Sequence, residues 1–201
     1  MSRYSSLAAP STLAFDDEAP ARPTHRHGNA TIALHWASSA AVLLSAVAVL
    51  ARELTENETL RSLLLDVHRQ TGLFVLLAWA LRLAVRWRVG MANHAGDMPW
   101  PLRLAAHGAH LSLYAALLAL PLLGIATSQA HEVTVRLFGL WRLPMLVEAD
   151  PDLAERLSDW HGYVAWALLA LVAAHIAAAL WHHLMRRDGV LSAMLPLVQR
   201  R

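Results

Sequence analysis

The stretch from Asp159 to Leu184 limits this chain more than any other. After Asp159 it holds no Asp, Glu, Lys or Arg, and it is built almost wholly of Ala, Leu, Val, Ile and Trp. It is about long enough to cross a bilayer as a helix. Within its apolar run stand His161 near one end and His175 near the other, with His182 and His183 following at the boundary. Fourteen residues of helix rise roughly 21 Å and turn close to four times, so the two imidazoles share a face to within about 40° and sit at two depths. Ionisable side chains inside such a segment are costly and usually have a partner or a function.

Composition agrees with a membrane setting. Of 201 residues, 56% are hydrophobic, with a mean hydropathy of +0.37. That is too apolar for an ordinary soluble domain. All 17 basic residues are Arg, and Cys is absent. The lack of Cys excludes disulfides, thiolate metal sites, iron–sulfur clusters and covalently attached c-type haem. The pI of about 9.7 is no sign of nucleic-acid binding, because the Arg residues flank apolar segments and do not form one basic face. Twelve His in a Cys-free membrane chain are the compositional oddity, since imidazole is a common ligand for metals and haem.

The expected fold class is all-α, a membrane bundle of four transmembrane helices. Residues 1–28 read as a disordered tail, with an acidic cluster at Asp16, Asp17 and Glu18 and no apolar run of the kind a signal peptide needs. The bundle covers 29–185, with helices expected over about 29–51, 67–87, 103–130 and 159–184. The second is the least apolar, since Arg69 and Arg82 bracket its uncharged core; Arg69, Arg82 and Arg86 lie toward its ends and can snorkel. Residues 52–66 and 88–102 read as loops. Pro121 and Gly124 are candidate kink points in the third segment. Residues 133–147 mix Leu, Phe, Trp and Met with Arg136 and Arg142, a pattern that suits a helix lying in the membrane surface. Residues 186–201 form a basic tail.

Four crossings put both termini on one side, with eleven Arg there against six on the other. The positive-inside rule then makes the termini cytoplasmic. Depths follow from this topology. His35, at the start of the first segment, and His175 fall near the cytoplasmic face; His68, at the start of the second, and His161 fall near the external face. Two opposed imidazoles at one level can bind a haem iron from both sides. With both axial positions filled, such a site favours electron transfer over oxygen binding. For each histidine alone, a helix–helix hydrogen bond is the plainer explanation; matching in pairs by depth favours two haems. His107 and His110, one turn apart, are read as lining a quinone pocket or bridging helices, with replacement of His35 as partner of His175 the alternative. His182 and His183 are read as interfacial, with a quinone or proton-relay role as the alternative. Arg69 is a candidate for a haem propionate or another anion on the external side, and Arg82 and Arg86 for the cytoplasmic haem. His94 and His131 fall in loops and are assigned no role.

The runs Ala33-Leu34-His35-Trp36, His68-Arg69-Gln70-Thr71-Gly72, Ala106-His107-Gly108-Ala109-His110-Leu111, Asp159-Trp160-His161-Gly162, Ala174-His175-Ile176-Ala177-Ala178 and Trp181-His182-His183 together resemble the bacterial cytochrome b561 family. The similarity extends over residues from about 29 to 200. Each motif is weak alone; their order and spacing are specific. The resemblance implies a four-helix inner-membrane cytochrome with two b haems that exchanges electrons with ubiquinone. It implies His35, His68, His161 and His175 as axial ligands, in agreement with the depth argument. Some members of that family oxidise periplasmic superoxide, in which case Arg69, Arg136, Arg142 and Arg156 are expected to steer the anion, against the neighbouring Glu132 and Asp159. Related subunits anchor a periplasmic dehydrogenase or hydrogenase to the quinone pool, and that is the alternative function. A haem-free transporter or assembly factor, with histidines as polar glue, is the third.

Overall fold

The computed structural model describes residues 27–89 and 99–195. The expected tail lies outside the described residues apart from its last two positions, as do His25, His94, Arg200 and Arg201. Four long helices carry the fold: α1 (Asn29–Glu53), α2 (Glu58–Val89), α3 (Trp100–Ala130) and α4 (Pro151–Trp181). A two-stranded hairpin, β1 (Arg136–Leu137) and β2 (Trp141–Arg142), separates α3 from α4. A π-helical turn (His182–Arg186) and a 3-10 turn (Ser192–Met194) follow α4.

Two helices start well before the expected points, for local chemical reasons. α2 begins at Glu58 instead of about Val67. The Asn57 side-chain carbonyl accepts from Leu60 N–H at 3.0 Å, and Glu58 lies in the first turn, where an acidic group suits the helix dipole. The charges over 58–66 therefore sit on helix, and the loop shrinks to 54–57. α4 begins at Pro151 instead of Asp159, because Asp150 caps it by accepting from Leu153 N–H at 3.0 Å, and Pro fits the first helical turn.

By length and composition α1, α3 and the stretch Pro151–Arg186 can each cross a membrane. α2 has 32 residues but is less apolar and is not among these three, so three of the four expected spans are evident in the structure. Large apolar side chains along the three spans point outward, among them Leu43, Leu111 and Trp166, each 65% exposed or more. A water-soluble bundle would hide such a surface; a bilayer covers it.

α1 packs along α2, and α3 along α4. On α1, Ser38, Ala41, Ser45 and Ala48 recur at spacings of three and four, which places four small residues on one face. Ser38, Ala41 and Ala48 are buried. Small residues let two helices approach closely in a membrane, where packing rather than water exclusion holds them together. Polar links run along the same seam: Arg82 of α2 donates to Ser38 Oγ at 3.1 Å, and Ser45 meets His68.

The segment expected as a surface helix is the hairpin instead. Leu140 N–H returns to Leu137 C=O at 3.0 Å across Phe138 and Gly139, which both have positive φ (50° and 74°), the pattern of a type I′ turn. Two glutamines hold the segment from below, each using both ends of its amide. Gln70 of α2 donates to Arg136 C=O (3.1 Å) and accepts from Phe138 N–H (2.9 Å). Gln129 of α3, 3% exposed, donates to Pro144 C=O (2.8 Å) and accepts from Leu146 N–H (2.8 Å). Val135 fits beneath, against Leu73 and Ile125, with Leu76, Leu137 and Leu143 around them.

At the opposite end the chain reverses. Arg187 (φ 51°) and Gly189 (φ 80°) turn it, and it returns to α1, where Trp36 Nε1–H donates to Met194 C=O at 2.8 Å. The start of α1 and residues 187–195 thus lie at one end of the bundle, and the hairpin lies at the other.

Removing a buried two-ended clamp leaves a carbonyl and an N–H without partners. Gln129→Ala is expected to lower stability by roughly 2 kcal/mol, against about 1 kcal/mol for loss of the helix cap in Asp150→Ala. Thermal unfolding of the detergent-solubilised protein measures both, and the larger effect should belong to Gln129.

Candidate functional site

α4 packs on α3, while the backbones of α1 and α2 stay largely clear of it. Side chains bridge that seam, and they are histidines. His35 of α1 faces His175 of α4 with ring centres 6.4 Å apart and planes at 69°. His68 of α2 faces His161 of α4 at 5.9 Å and 77°. The structure therefore brings together the two pairs that depth alone indicates. All four rings are half-buried.

His68 is held in place. Its Nδ1 lies 3.0 Å from Ser45 C=O and 2.9 Å from Ser45 Oγ. A carbonyl only accepts, so the proton is on Nδ1 and Nε2 is free to bind a metal. His35 and His161 are less well served. The Nδ1 atoms of both are buried without a hydrogen-bond partner; the Leu120 carbonyl interacts with the His161 ring without satisfying that nitrogen. Buried polar atoms left unpaired call for an explanation. Gly124 of α3 makes room for His161: a Cβ there would come within 3.3 Å of His161 Cε1. This is the structural use of a glycine expected to mark a kink.

These residues fit a haem at each level. Two metal–nitrogen bonds of about 2 Å plus the two ring radii put opposed imidazole centres roughly 6 Å apart, close to both observed separations. No group of three or more His, Cys, Asp or Glu converges on one point among the described residues. Each level thus supplies two facing imidazoles and lacks the further ligands that a bare ion needs, the donor set that suits a macrocycle with its own nitrogens.

The other expected site residues divide. His110 is close to His175, with ring centres 5.6 Å apart, and donates from Nδ1 to Ala106 C=O at 2.7 Å. His107 bonds its own helix in the same way, to Arg103 C=O at 2.7 Å. Both are exposed, unlike the four paired rings. Arg82 and Arg86 stack over the Tyr114 ring at 5.3 and 5.9 Å, and Arg82 also reaches Ser38, one turn from His35. Arg69 lies 3.6 Å from Asp66, one turn earlier on the exposed side of α2. Ser45, Gln70, Gln129 and Tyr114 had no assigned role from sequence. Only Gln70 carried a signal, its place in the His68 motif.

His182 is tied to the chain reversal: its Nδ1 is 2.6 Å from Asp188 Oδ2, with Arg186 Nε at 3.3 Å. Burial alone would raise the Asp188 carboxyl; its hydrogen bonds to His182 and Val190 N–H, with the charges of His182 and Arg186, outweigh that and hold it below the usual carboxylate range.

Comparison with known proteins places these features in context. The family model described as Prokaryotic cytochrome b561 matches residues 26–197. Cytochrome b561 homolog 2 of Escherichia coli K12 is 28% identical over 174 residues, covering 85% of this chain and 91% of that protein. Cytochrome b561 homolog 1 of the same organism is 29% identical over 179 residues, covering 86% and 98%. A protein of Yersinia pestis named probable superoxide oxidase CybB is 29% identical over 131 residues, covering 65% and 73%.

The Asp188 geometry predicts a pH response. A carboxyl lowered on folding from its ordinary 3.8 adds stability at pH values above 3.8 and loses it as pH falls through the lower folded value. Hydrogen-exchange protection of residues 188–195 should hold down to about pH 4 and fall below it. In Asp188→Asn, protection should already be reduced at neutral pH.

Proposed function

The chain belongs to the prokaryotic cytochrome b561 family, whose members are membrane proteins that bind b-type haem, and on that premise we propose that it carries electrons between an external one-electron donor and ubiquinone through two b haems. The observation that carries this reading is the pairing of histidines at two depths, with α4 contributing one ring to each pair. His35 and His175 hold the haem near the terminal end, and His68 and His161 the haem near the hairpin. A haem held there would supply a one-electron couple. The protein residues fix ring orientation, keep water away and set the charge around each level.

The Arg distribution, eleven against six, supports termini in the cytoplasm of a bacterium and the hairpin on the outside of its inner membrane. α2 then crosses as the fourth span, with Arg82 and Arg86 near the cytoplasmic end of its apolar core. There they would supply positive charge to a haem's carboxylates, and Tyr114 keeps their guanidinium groups stacked. His110, lying against His175, and His107, one turn before it, line the region where a quinone would take the electron.

An anionic donor suits the outside face. Arg136 and Arg142 stand directly opposite each other across the hairpin. Like charges in that position weaken a hairpin, so their placement favours a role outside folding. The hairpin is bound to Gln70, two residues from His68, which sets this positive charge over the external pair. Superoxide, the donor that the name of the Yersinia pestis relative indicates for that protein, is such an anion. Arg69 contributes less than expected, because Asp66 offsets its charge.

Two experiments test the reading. His161→Ala should lose the outer haem and His175→Ala the inner one, each variant keeping one haem per chain by pyridine haemochrome against two in the native protein; loss of the same haem, or of none, rejects it. Haem reduction by superoxide in stopped flow should slow several-fold as ionic strength rises from about 10 to 150 mM, where the screening length falls from about 30 to 8 Å. A rate indifferent to salt removes the steering role of Arg136 and Arg142.

A further inference from the structure

Three serines of α1 lie near the histidines, and one behaves differently. Ser38 and Ser39 donate to His35 C=O of their own helix, at 3.0 and 2.8 Å, the usual resting place for a hydroxyl inside a membrane helix. Ser45 reaches across to α2. Its Oγ is 2.9 Å from His68 Nδ1 and 3.4 Å from His68 C=O, and its own carbonyl is 3.0 Å from the same Nδ1. Two oxygens thus face one N–H, and the hydroxyl proton is directed to the His68 carbonyl. His35, on the same helix ten residues earlier, has a buried Nδ1 with no partner. α1 therefore supplies a ring to the inner level and the support for a ring at the outer level, roughly 15 Å along its axis.

Building on the two-haem reading, we propose that Ser45 is a positioning residue for His68: it fixes the ring with Nδ1 protonated and Nε2 toward the seam, and lowers the reduction potential at the outer level relative to the inner one. An imidazole whose distal N–H is hydrogen-bonded becomes a more basic donor through its other nitrogen. A more basic axial ligand favours the oxidised metal, and hydrogen bonding around the ligand is one of the levers by which a protein sets a haem potential. His35 lacks that support. The asymmetry makes transfer of one electron from the hairpin level to the terminal level downhill, with no proton moved. Direction across the membrane then follows from one hydroxyl and one carbonyl on α1.

The test uses two substitutions of one shape. Ser45→Thr keeps an oxygen at the same atom; Ser45→Val replaces it by a methyl group. In the purified, haem-loaded protein, redox titration followed in the visible spectrum resolves two steps, and His161→Ala identifies the outer one by its loss. Ser45→Thr is expected to leave both steps in place. Ser45→Val is expected to raise the outer potential alone, with the inner unchanged, two haems still bound, and a shifted outer low-spin signal in electron paramagnetic resonance. If Ser45→Val and Ser45→Thr titrate alike with two haems bound, or if the shift falls on the inner step, the Ser45 hydroxyl has no such role and the two-haem reading stands. If the native protein holds no haem that His161→Ala removes, the reading fails and the proposal with it.

Discussion

A neutral imidazole in a hydrocarbon interior still carries one N–H and one lone pair, and the lipid around it satisfies neither. A histidine on the inner face of this bundle can meet only groups near its own depth, since an imidazole is too short to reach another level. That requirement orders the rest. It sets which stretch of α1 and which stretch of α2 come level with α4, and it explains why α4 keeps close contact with α3 alone while standing off from the two helices whose rings it faces. On the proposed reading the space between is where the flat cofactors lie.

Much of this was legible in the sequence because the signals were long-range and redundant. Charge-free runs located α1, α3 and α4, and the fourteen-residue interval between His161 and His175 placed both rings on one face. Topology then supplied the partners, and the geometry brought the same pairs together. The family resemblance drawn from the six short motifs agrees with a family match over residues 26–197.

What the sequence concealed was local. The charges over residues 58–66 looked like a loop, because a charge count carries no information about a cap; a single side chain, Asn57, moves the helix start by more than two turns. The hairpin hid for a similar reason. Its turn is built on Phe138 and Gly139, without the Asn-Gly or Asp-Gly pair that announces such turns, and its backbone is satisfied by glutamines 66 to 68 residues away for Gln70. A side chain that caps a loop from another helix leaves no periodic trace. Ser45 is of the same kind: in the sequence it is one small residue among many, and only the packing of α1 on α2 gives it a ring to hold.

Because α4 lends one ring to each level, the two histidine pairs have a mechanical part in common. A slide or twist of that rod alone would lengthen or skew both facings at once, so neither can be detuned by such a motion in isolation. Its anchors are therefore shared controls: the Asp150 cap at one end and the Asp188 tether at the other set the register of both histidine pairs, though neither residue touches them.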